Sequence, residues 1–323
     1  MNVLACDLGG TRMKIGVVRD GQVLVQTARA SYSKQDLARQ LPALKTTWEQ
    51  LLEQQNLKVS DCAGISISFP SLIDAKTGRI LTHFGKFKDA PNLDLRAWAK
   101  HEFNLPLAIE NDARMALIGE WQFGAGRGCQ NIVIITLGTG LGTSAVIEGR
   151  LLRGVHGQAG ILGGHMTVQY DGRLCHCGNI GCAEAEASTA SLGSLAATRP
   201  GFDRSSLRTA AALSYQLIFK RAAAGDTMAI ELRDHSIRVW SALAVNLVQA
   251  YDPELLILAG GIMDSGDSIL PVIDRHVSRH AHTRWGKVRV VASQLGDKAA
   301  LVAGQWLLSE QFPNVNREKT QLR

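Results

Sequence analysis

The sequence lacks the features of several protein classes. No apolar run reaches the roughly 18 residues that a membrane helix needs, and no secretion signal opens its 323 residues. Lysine and arginine are dispersed, so the net charge of +6 indicates a solvated surface compatible with anionic phosphates rather than a nucleic-acid-binding face. There is no low-complexity segment and no solenoid repeat. We therefore expect a cytoplasmic protein that binds neither membrane nor nucleic acid.

The six cysteines do not form the pattern of a disulfide framework. Three are scattered, and the other three are clustered at Cys175, Cys177 and Cys182. With His165 they supply three thiolates and one imidazole, the ligands of a closed tetrahedral Zn²⁺ site. Because no coordination position is left open, we expect this zinc to be structural. His176 remains an alternative fourth ligand, although its place between two cysteines would strain the chelate.

Hydrophobic patterning predicts a mixed α/β chain. Strands are expected at 2–6, 14–19, 23–27, 64–68, 107–110, 131–136 and 255–258, and helices at about 34–55, 113–121, 226–251 and 298–310. Two glycine- and threonine-containing turns, Asp7–Thr11 and Leu137–Thr143, each follow an apolar strand and lead into another. This similarity predicts two related α/β lobes that face each other across a cleft.

The sequence has 32 glycines, and their excess is clustered at 9–10, 138–142, 154–164 and 260–261, which indicates loops where backbone approaches a ligand closely. In the first turn, small residues would let backbone N–H groups and a hydroxyl contact phosphate oxygens, whereas a tight β-turn is the plainer interpretation. A second turn of the same kind favours phosphate binding. A third glycine pair would lie near the adenine, or it is simply a strand-to-helix turn. Asp7 is placed to position Mg²⁺ through water. The candidate residues are Gly9, Gly10 and Thr11, then Gly138, Thr139 and Gly140, then Gly260 and Gly261.

Glu110-Asn111-Asp112 stands at the end of a short strand and opens a helix. An aspartate in this place is often only a helix cap. Phosphoryl transfer, however, needs one carboxylate to orient and deprotonate the accepting hydroxyl. We therefore interpret Asp112 as a candidate catalytic base and Asn111 as a contact to the neighbouring hydroxyl.

Taken together, these motifs resemble the ROK family, which contains sugar kinases and sugar-responsive repressors, over nearly the whole chain. The segments that carry the resemblance are Asp7–Lys14, Gly64–Asp74, Pro91-Asn92, Glu110-Asn111-Asp112, Leu137–Thr143, His165 with Cys175–Glu184, Gly225-Asp226 and Leu258–Gly261. The resemblance implies a two-lobed actin-like ATPase (ribonuclease H-like) fold. The expected lobes are 1–117, completed by a C-terminal helix at about 305–323, and 118–304 with the zinc loop.

The resemblance also implies a function. ATP and Mg²⁺ would bind at the glycine turns together with Asp7 and Lys14. Because Lys14 lies on a strand, the alternative interpretation is that its side chain simply faces solvent. Asp112 would be the base of a sugar kinase. The sugar would contact Asn92, Asn111, Asp112, His165 and Glu184, and zinc would be structural. Family members are usually dimers, so a homodimer is expected.

One segment departs from the family pattern. Ala159–His165 lacks the glutamate that binds sugar hydroxyls in typical members, and it is one glycine longer. Either Glu184 or Glu186 compensates, or the substrate is a modified or less common sugar or polyol. A catalytically silent sugar sensor is the alternative function, and a phosphoryl donor other than ATP stays open. A repressor is disfavoured, because Asp7 is the seventh residue and leaves no room for a winged helix-turn-helix.

Overall fold

The computed structural model describes residues 1–314, which fall into two compact units. Unit 1 holds Met1–Arg127, Arg153–Ala159 and the chain from Gln294 onward. Unit 2 holds Gly128–Leu152 and Gly160–Ser293. The chain therefore passes between the units four times. Of the predicted C-terminal helix at 305–323, residues 315–323 lie outside the described part of the chain.

Unit 1 is built on a five-stranded sheet and a short hairpin. The strands are β1 Asn2–Leu8, β2 Arg12–Arg19, β3 Gln22–Ala30, β4 Cys62–Phe69, β5 Ile73–Asp74, β6 Arg79–Ile80 and β7 Leu107–Asn111. In the sheet order β3-β2-β1-β4-β7 the first three are antiparallel, and β4 and β7 continue parallel to β1. The parallel strands β4 and β7 are buried along their whole length, including their polar residues Ser66, Ser68, Glu110 and Asn111.

Unit 1 has three α-helices before residue 128, and the second of them was not predicted. They are α1 Leu41–Gln54, α2 Leu95–Phe103 and α3 Asp112–Phe123. The helix predicted from about residue 34 begins only at Leu41, after a short 3-10 turn at Ala38–Gln40. Pro42 occupies its first turn, where its missing N–H is tolerated. Upstream, the backbone N–H groups of Leu37 and Ala38 are bound by the Asp89 carboxylate instead of helical carbonyls.

Unit 2 repeats the same sheet order. Its strands are β8 Ile132–Leu137, β9 Leu141–Ile147, β10 Arg150–Leu151, β11 Leu255–Ala259 and β12 Arg289–Ala292, in the order β10-β9-β8-β11-β12. Its helices are α4 Ala183–Ala187, α5 Thr189–Ala197, α6 Tyr215–Ala223, α7 Thr227–Tyr251 and α8 Gly266–His280. The fully buried Trp240 of α7 donates its indole N–H to the Ala187 carbonyl, 2.8 Å away. This bond ties the core helix α7 to the end of α4.

The last helix, α9 Ala299–Gln311, belongs to unit 1 and packs on α3 and on the sheet. The strands and helices thus confirm the predicted α/β class, and the repeated order confirms the predicted relation between the two glycine turns. Among residues 1–314, no helix is long and apolar enough to cross a membrane.

Candidate active site

In unit 1 the polar candidates lie at the carboxyl ends of three parallel strands. The register pairs Asp7 of β1 with Ser68 of β4, and Phe69 of β4 with Asn111 of β7. Because all three strands end at the same edge of the sheet, side chains distant in sequence come together there. Asp7 is partly buried, and its Oδ1 accepts a hydrogen bond of 2.7 Å from the Ser68 hydroxyl.

Lys14 faces Asp7 from the neighbouring strand β2. Its ammonium is 3.6 Å from Asp7 Oδ2 and 2.9 Å from Asp297 Oδ1. Lys14 is therefore ion-paired within unit 1 and is not simply a solvent-facing lysine. The contact of Lys14 with the nucleotide stays a prediction.

The first glycine turn is fixed by two serines that follow β3. The Gly10 carbonyl accepts hydrogen bonds from the hydroxyls of Ser31 and Ser33, at 2.8 and 2.5 Å. Gly9 closes the turn by donating its N–H to the Arg12 carbonyl at 2.9 Å. Thr11 is exposed beside them. The turn is therefore held through the Gly10 carbonyl and through the Gly9 N–H.

Asn111, rather than Asp112, caps helix α3. Its Oδ1 accepts from the backbone N–H groups of Ala113 and Arg114, at 3.0 and 3.3 Å. Its Nδ2 donates to the Ser71 carbonyl at 3.1 Å and to Asp112 Oδ1 at 3.0 Å. Asn111 is thus the N-cap residue, and Asp112 Oδ1 shares one of its N–H groups, accepting from Ala113 at 2.9 Å.

Asp112 is the first residue of α3 and its carboxyl group has a perturbed pKa. Burial raises that pKa to about 6, and the negative charge of Asp7 adds to the rise. The ammonium of Lys86 and hydrogen bonds from backbone N–H groups act in the opposite direction. A carboxyl group that titrates near neutral pH, beside a phosphate-type turn, has the property expected of a general base.

A buried ion network lies behind these residues in unit 1 and was not predicted. Glu110 and Arg114 are fully buried and joined at 3.2 Å, and Arg153 binds the other oxygen of Glu110 at 2.8 Å. Arg114 also donates to the Gly157 and Ala159 carbonyls, both at 2.9 Å. The network fixes the segment that leads into the 160–165 loop. The i,i+4 spacing of Glu110 and Arg114 was the only sequence signal for it.

Asn92 is the last predicted sugar contact in unit 1. It ends the 3-10 turn Ala90–Asn92 and its side chain is exposed. Unit 1 therefore holds Asp7, Lys14, Asn111 and Asp112 around one sheet edge, whereas the structure gives Asn92 no hydrogen bond to them among residues 1–314.

In unit 2 the second glycine turn connects β8 and β9. The Gly138 and Thr139 carbonyls accept hydrogen bonds from the first two N–H groups of α5, at 3.1 and 3.0 Å. Glu184 Oε2 accepts from the Leu141 N–H at 2.8 Å. A Cβ atom on Gly140 would collide with the Glu184 carboxylate, so a larger residue there would displace this side chain. The predicted sugar contact Glu184 thus lies directly on the predicted phosphate turn.

Gly260 and Gly261 follow β11, which is the parallel neighbour of β8. Both are exposed, and a Cβ atom on Gly260 would collide with the backbone of Leu137. The glycine pair therefore lies beside the second turn, in the same unit, with backbone open to a ligand. Close packing against Leu137 is one reason for Gly260 independent of any nucleotide.

The side chains of His165, Cys175, Cys177 and Cys182 form one cluster, with their ligand atoms all within 4.8 Å of one another. The thiol sulfurs of Cys177 and Cys182 are 3.6 Å apart, and Cys175 Sγ is 3.6 Å from His165 Nδ1. With Zn–S bonds of about 2.3 Å, a tetrahedral site has edges near 3.8 Å. The donor set and its spacing therefore fit a structural zinc ion. Burial lowers the pKa of His165, which favours the neutral, metal-binding imidazole.

His176, the alternative ligand, is mostly exposed. Its Nδ1 lies 3.8 Å from Cys175 Sγ and 3.5 Å from Glu184 Oε1. It belongs to a second group, formed with His165 and Glu184. The group that contains all three cysteines includes His165 and not His176, so the geometry favours His165 as the fourth ligand.

The segment that departs from the family pattern is anchored on β9. The Thr143 hydroxyl donates to the Gly160 carbonyl at 2.5 Å and accepts from the Gly163 N–H at 2.9 Å. A Cβ atom on Gly163 would meet Thr143, and one on Gly164 would meet the Leu141 carbonyl, so both glycines serve this close approach. Ile161 is buried, and no carboxylate is carried by this loop.

Of the two glutamates considered as replacements, only one is accessible. Glu186 is 2% exposed, and its Oε1 accepts from the Arg173 N–H at 2.6 Å. The Glu184 side chain is 16% exposed. The geometry thus favours Glu184 over Glu186 as a group that meets a ligand.

Comparison with known proteins agrees with these motifs. The ROK family model matches residues 3–311. The chain belongs to the ROK family. A glucokinase of Halalkalibacterium halodurans is 30% identical over 94% of each chain. The solved ROK family glucokinase from Streptomyces griseus, in complex with glucose and AMPPNP, has 28% identity and a TM-score of 0.77 over 95% of this ROK chain and 99% of that one.

The family also contains regulators that resemble this ROK protein. A xylose repressor of Bacillus spizizenii is 31% identical over 78% of this chain and 62% of the repressor. The predicted family is confirmed, and the two α/β units have the fold of the ROK kinases.

Proposed function

We propose that this ROK protein is an ATP-dependent kinase that phosphorylates a hydroxyl of a sugar or sugar-like polyol. The observation that carries the proposal is the state of Asp112. Its pKa is raised to about 6, its cap function is taken by Asn111, and it shares a unit with the first glycine turn. The glucokinase relative and the glucose- and AMPPNP-bound neighbour support the same reaction class.

In this proposal the units supply different groups. Unit 1 contributes Asp112, which accepts the proton of the attacking hydroxyl, and Asn111, which holds the Asp112 carboxylate through its Nδ2. Asn111 would contact the sugar by exchanging one of its four hydrogen bonds. Asn92 from unit 1 and His165 and Glu184 from unit 2 would bind the other hydroxyls.

The nucleotide would be bound mainly by backbone. N–H groups of the turns at 9–11 and 138–140 would contact phosphate oxygens, except those of Gly9 and Gly138, which bond within their own turns. Gly260-Gly261 would face the adenine. Mg²⁺, held through water by Asp7, would supply charge neutralisation of the phosphates. Zinc held by His165, Cys175, Cys177 and Cys182 would order the loop that carries His165.

The sugar itself is proposed to differ from glucose. The 159–165 loop carries Ile161 and two tightly packed glycines where typical members carry a carboxylate, so one acceptor of sugar hydroxyls is missing. Glu184 is the accessible carboxylate that remains in unit 2 near this loop's His165. Ordinary glucokinase kinetics with a strong preference for glucose would contradict this part of the proposal.

The test is ADP release with MgATP over a panel of aldoses, ketoses, N-acetylhexosamines and polyols, with polyphosphate as a second donor. We expect turnover on at least one member. Asp112→Asn should lower it by orders of magnitude, whereas Asp274→Asn on α8 should not. Absence of turnover on every sugar with either donor, in zinc-replete folded protein, would contradict the kinase.

A silent sugar sensor is the second candidate. The missing carboxylate and the similarity to a xylose repressor favour it. A sensor would show sugar-induced thermal stabilisation without ADP release from any panel member. The homodimer also remains a proposal, and light scattering coupled to size exclusion measures it.

A further inference from the structure

A lysine outside every motif reaches the first glycine turn. Lys86 lies in the segment between β6 and the 3-10 turn Ala90–Asn92. A Cβ atom on Gly10 would be 3.1 Å from Lys86 Cε and 3.3 Å from its Nζ. Gly10 has no side chain, which leaves one face of the turn open. The ammonium group of Lys86 lies over this face.

The backbone around Lys86 is tied to the same turn. The N–H of Lys86 donates to the His83 carbonyl at 2.8 Å, and that of the fully buried Phe87 donates to the Ser33 carbonyl at 2.7 Å. The Ser33 hydroxyl in turn donates to the Gly10 carbonyl at 2.5 Å. One serine thus fixes both the turn and the segment that carries Lys86.

The charge of Lys86 is held differently from that of Lys14, the other lysine at this sheet edge. Lys14 is neutralised by Asp7 and Asp297. Within the described residues 1–314, the Lys86 ammonium has no carboxylate oxygen within 4.0 Å. It is nevertheless near enough to Asp112 to lower the pKa of that carboxyl group. Lys86 is thus a cation available to an anionic ligand.

We propose that Lys86 is a catalytic residue that binds the transferred phosphoryl group. The inference rests on the proposed kinase function and adds a residue to it. As the sugar oxygen bonds to the γ-phosphorus, the bond from that phosphorus to the β,γ-bridging oxygen breaks and ADP leaves with the electron pair. The hydroxyl proton passes to Asp112, while Lys86 stays protonated and stabilises the negative phosphoryl oxygens.

A purely structural role is the competing explanation. In that case Lys86 only offsets the negative charges of Asp7 and Asp112, and its loss changes stability without distinguishing between nucleotides. A residue that contacts the terminal phosphoryl group must affect a nucleotide with three phosphates more than one with two.

The experiment compares Lys86→Met, Lys86→Arg and the control Lys88→Met, two residues away and exposed. Calorimetric titration gives the Kd of MgAMPPNP and of MgADP for each protein, and ADP release on the best panel sugar gives kcat. For Lys86→Met we expect MgAMPPNP binding to weaken at least about tenfold while MgADP binding changes little. The kcat should fall about 100-fold, and Lys86→Arg should recover most of both losses.

The outcomes separate the two proposals. If the wild-type protein binds nucleotides and turns over but Lys86→Met behaves like Lys88→Met, the role of Lys86 is refuted and the kinase stands. Equal weakening of MgADP and MgAMPPNP by Lys86→Met also refutes it, because a structural effect does not select the γ-phosphate. If the wild-type protein binds neither nucleotide, the kinase proposal fails and the role of Lys86 fails with it.

Discussion

The two sheets have the same strand order, yet their strand ends carry different chemistry. In each sheet the central strand has an antiparallel hairpin on one side and two strands parallel to it on the other. The last parallel strand of unit 1 ends in Asn111 and leads into Asp112, whereas its counterpart in unit 2 ends in Ala292. The strand beside the central one is β4 in unit 1, which ends in Phe69. Its counterpart in unit 2 is β11, which leads into Gly260.

The glycine turns differ in the same way. The turn of unit 1 is surrounded by charged groups, with Asp7 at its start and Lys86 over Gly10. The turn of unit 2 rests on the start of α5 and on Glu184. The repeated scaffold thus supplies two backbone loops, and the proposed mechanism places proton transfer and charge stabilisation in unit 1.

The largest effect should come from Asp112→Asn in unit 1. Removing the base should lower kcat about 10³-fold, because the proton of the attacking hydroxyl would lose its proposed acceptor. Burial disfavours the charged carboxyl group, so the variant should be at least as stable as wild type at pH 8. ADP release and thermal melts measure both. Turnover near the wild-type level would assign the base elsewhere.

Cys177→Ser tests the metal cluster, which has no counterpart in unit 1 among residues 1–314. Metal analysis should find about one zinc per wild-type chain and none in the variant, because a hydroxyl is a poor substitute for a thiolate. The melting temperature should fall as the 165–182 loop loses its anchor. Cys62→Ala, at a buried cysteine outside the cluster, should keep its zinc. Unchanged zinc in Cys177→Ser would refute the ligand assignment.

Gly140→Ala and Gly10→Ala compare the two turns directly. A Cβ atom on Gly140 meets the Glu184 carboxylate, which is fixed by the Leu141 N–H, whereas one on Gly10 meets the flexible end of Lys86. Overpacking against a fixed group costs about 1–3 kcal/mol. We therefore expect kcat/KM for MgATP to fall more in Gly140→Ala than in Gly10→Ala. Gly193→Ala on α5, where a Cβ atom meets nothing within 4 Å, is the control. A larger fall of kcat/KM in Gly10→Ala than in Gly140→Ala would show that Lys86 moves less easily than Glu184.

The sequence predicted the scaffold better than the contacts at its edges. Apolar runs such as Ile132–Leu137 and Leu255–Ala259 predict buried parallel strands because burial on both faces leaves no polar alternation. The start of α1 was wrong, since Asp89, far along the chain, binds the N–H groups that a helix would have used.

The positions of the side chains at the sheet edge depend on contacts between residues distant in sequence, which local sequence patterns do not predict. Lys86 lies near Gly10 in a segment that the bond from Phe87 to Ser33 holds in place, and no spacing in the sequence predicts this contact. Likewise, the division of roles between Asn111 and Asp112 depends on which side chain turns back onto the helix N–H groups. The metal cluster is different, because thiols this close in sequence have few other arrangements.

The pH profile sharpens the comparison at the level of single charges. A base must be ionised, and the pKa of Asp112 is raised to about 6, so kcat/KM should fall about tenfold per pH unit below that value and level off above it. The Lys86 ammonium favours the ionised carboxylate, so Lys86→Met should move this acid limb to higher pH, whereas Lys88→Met should leave it in place. Asp7 acts with the opposite sign, and Asp7→Asn should move the limb to lower pH. A limb that stays at the same pH in both Lys86→Met and Asp7→Asn would mean that the titrating group is not Asp112.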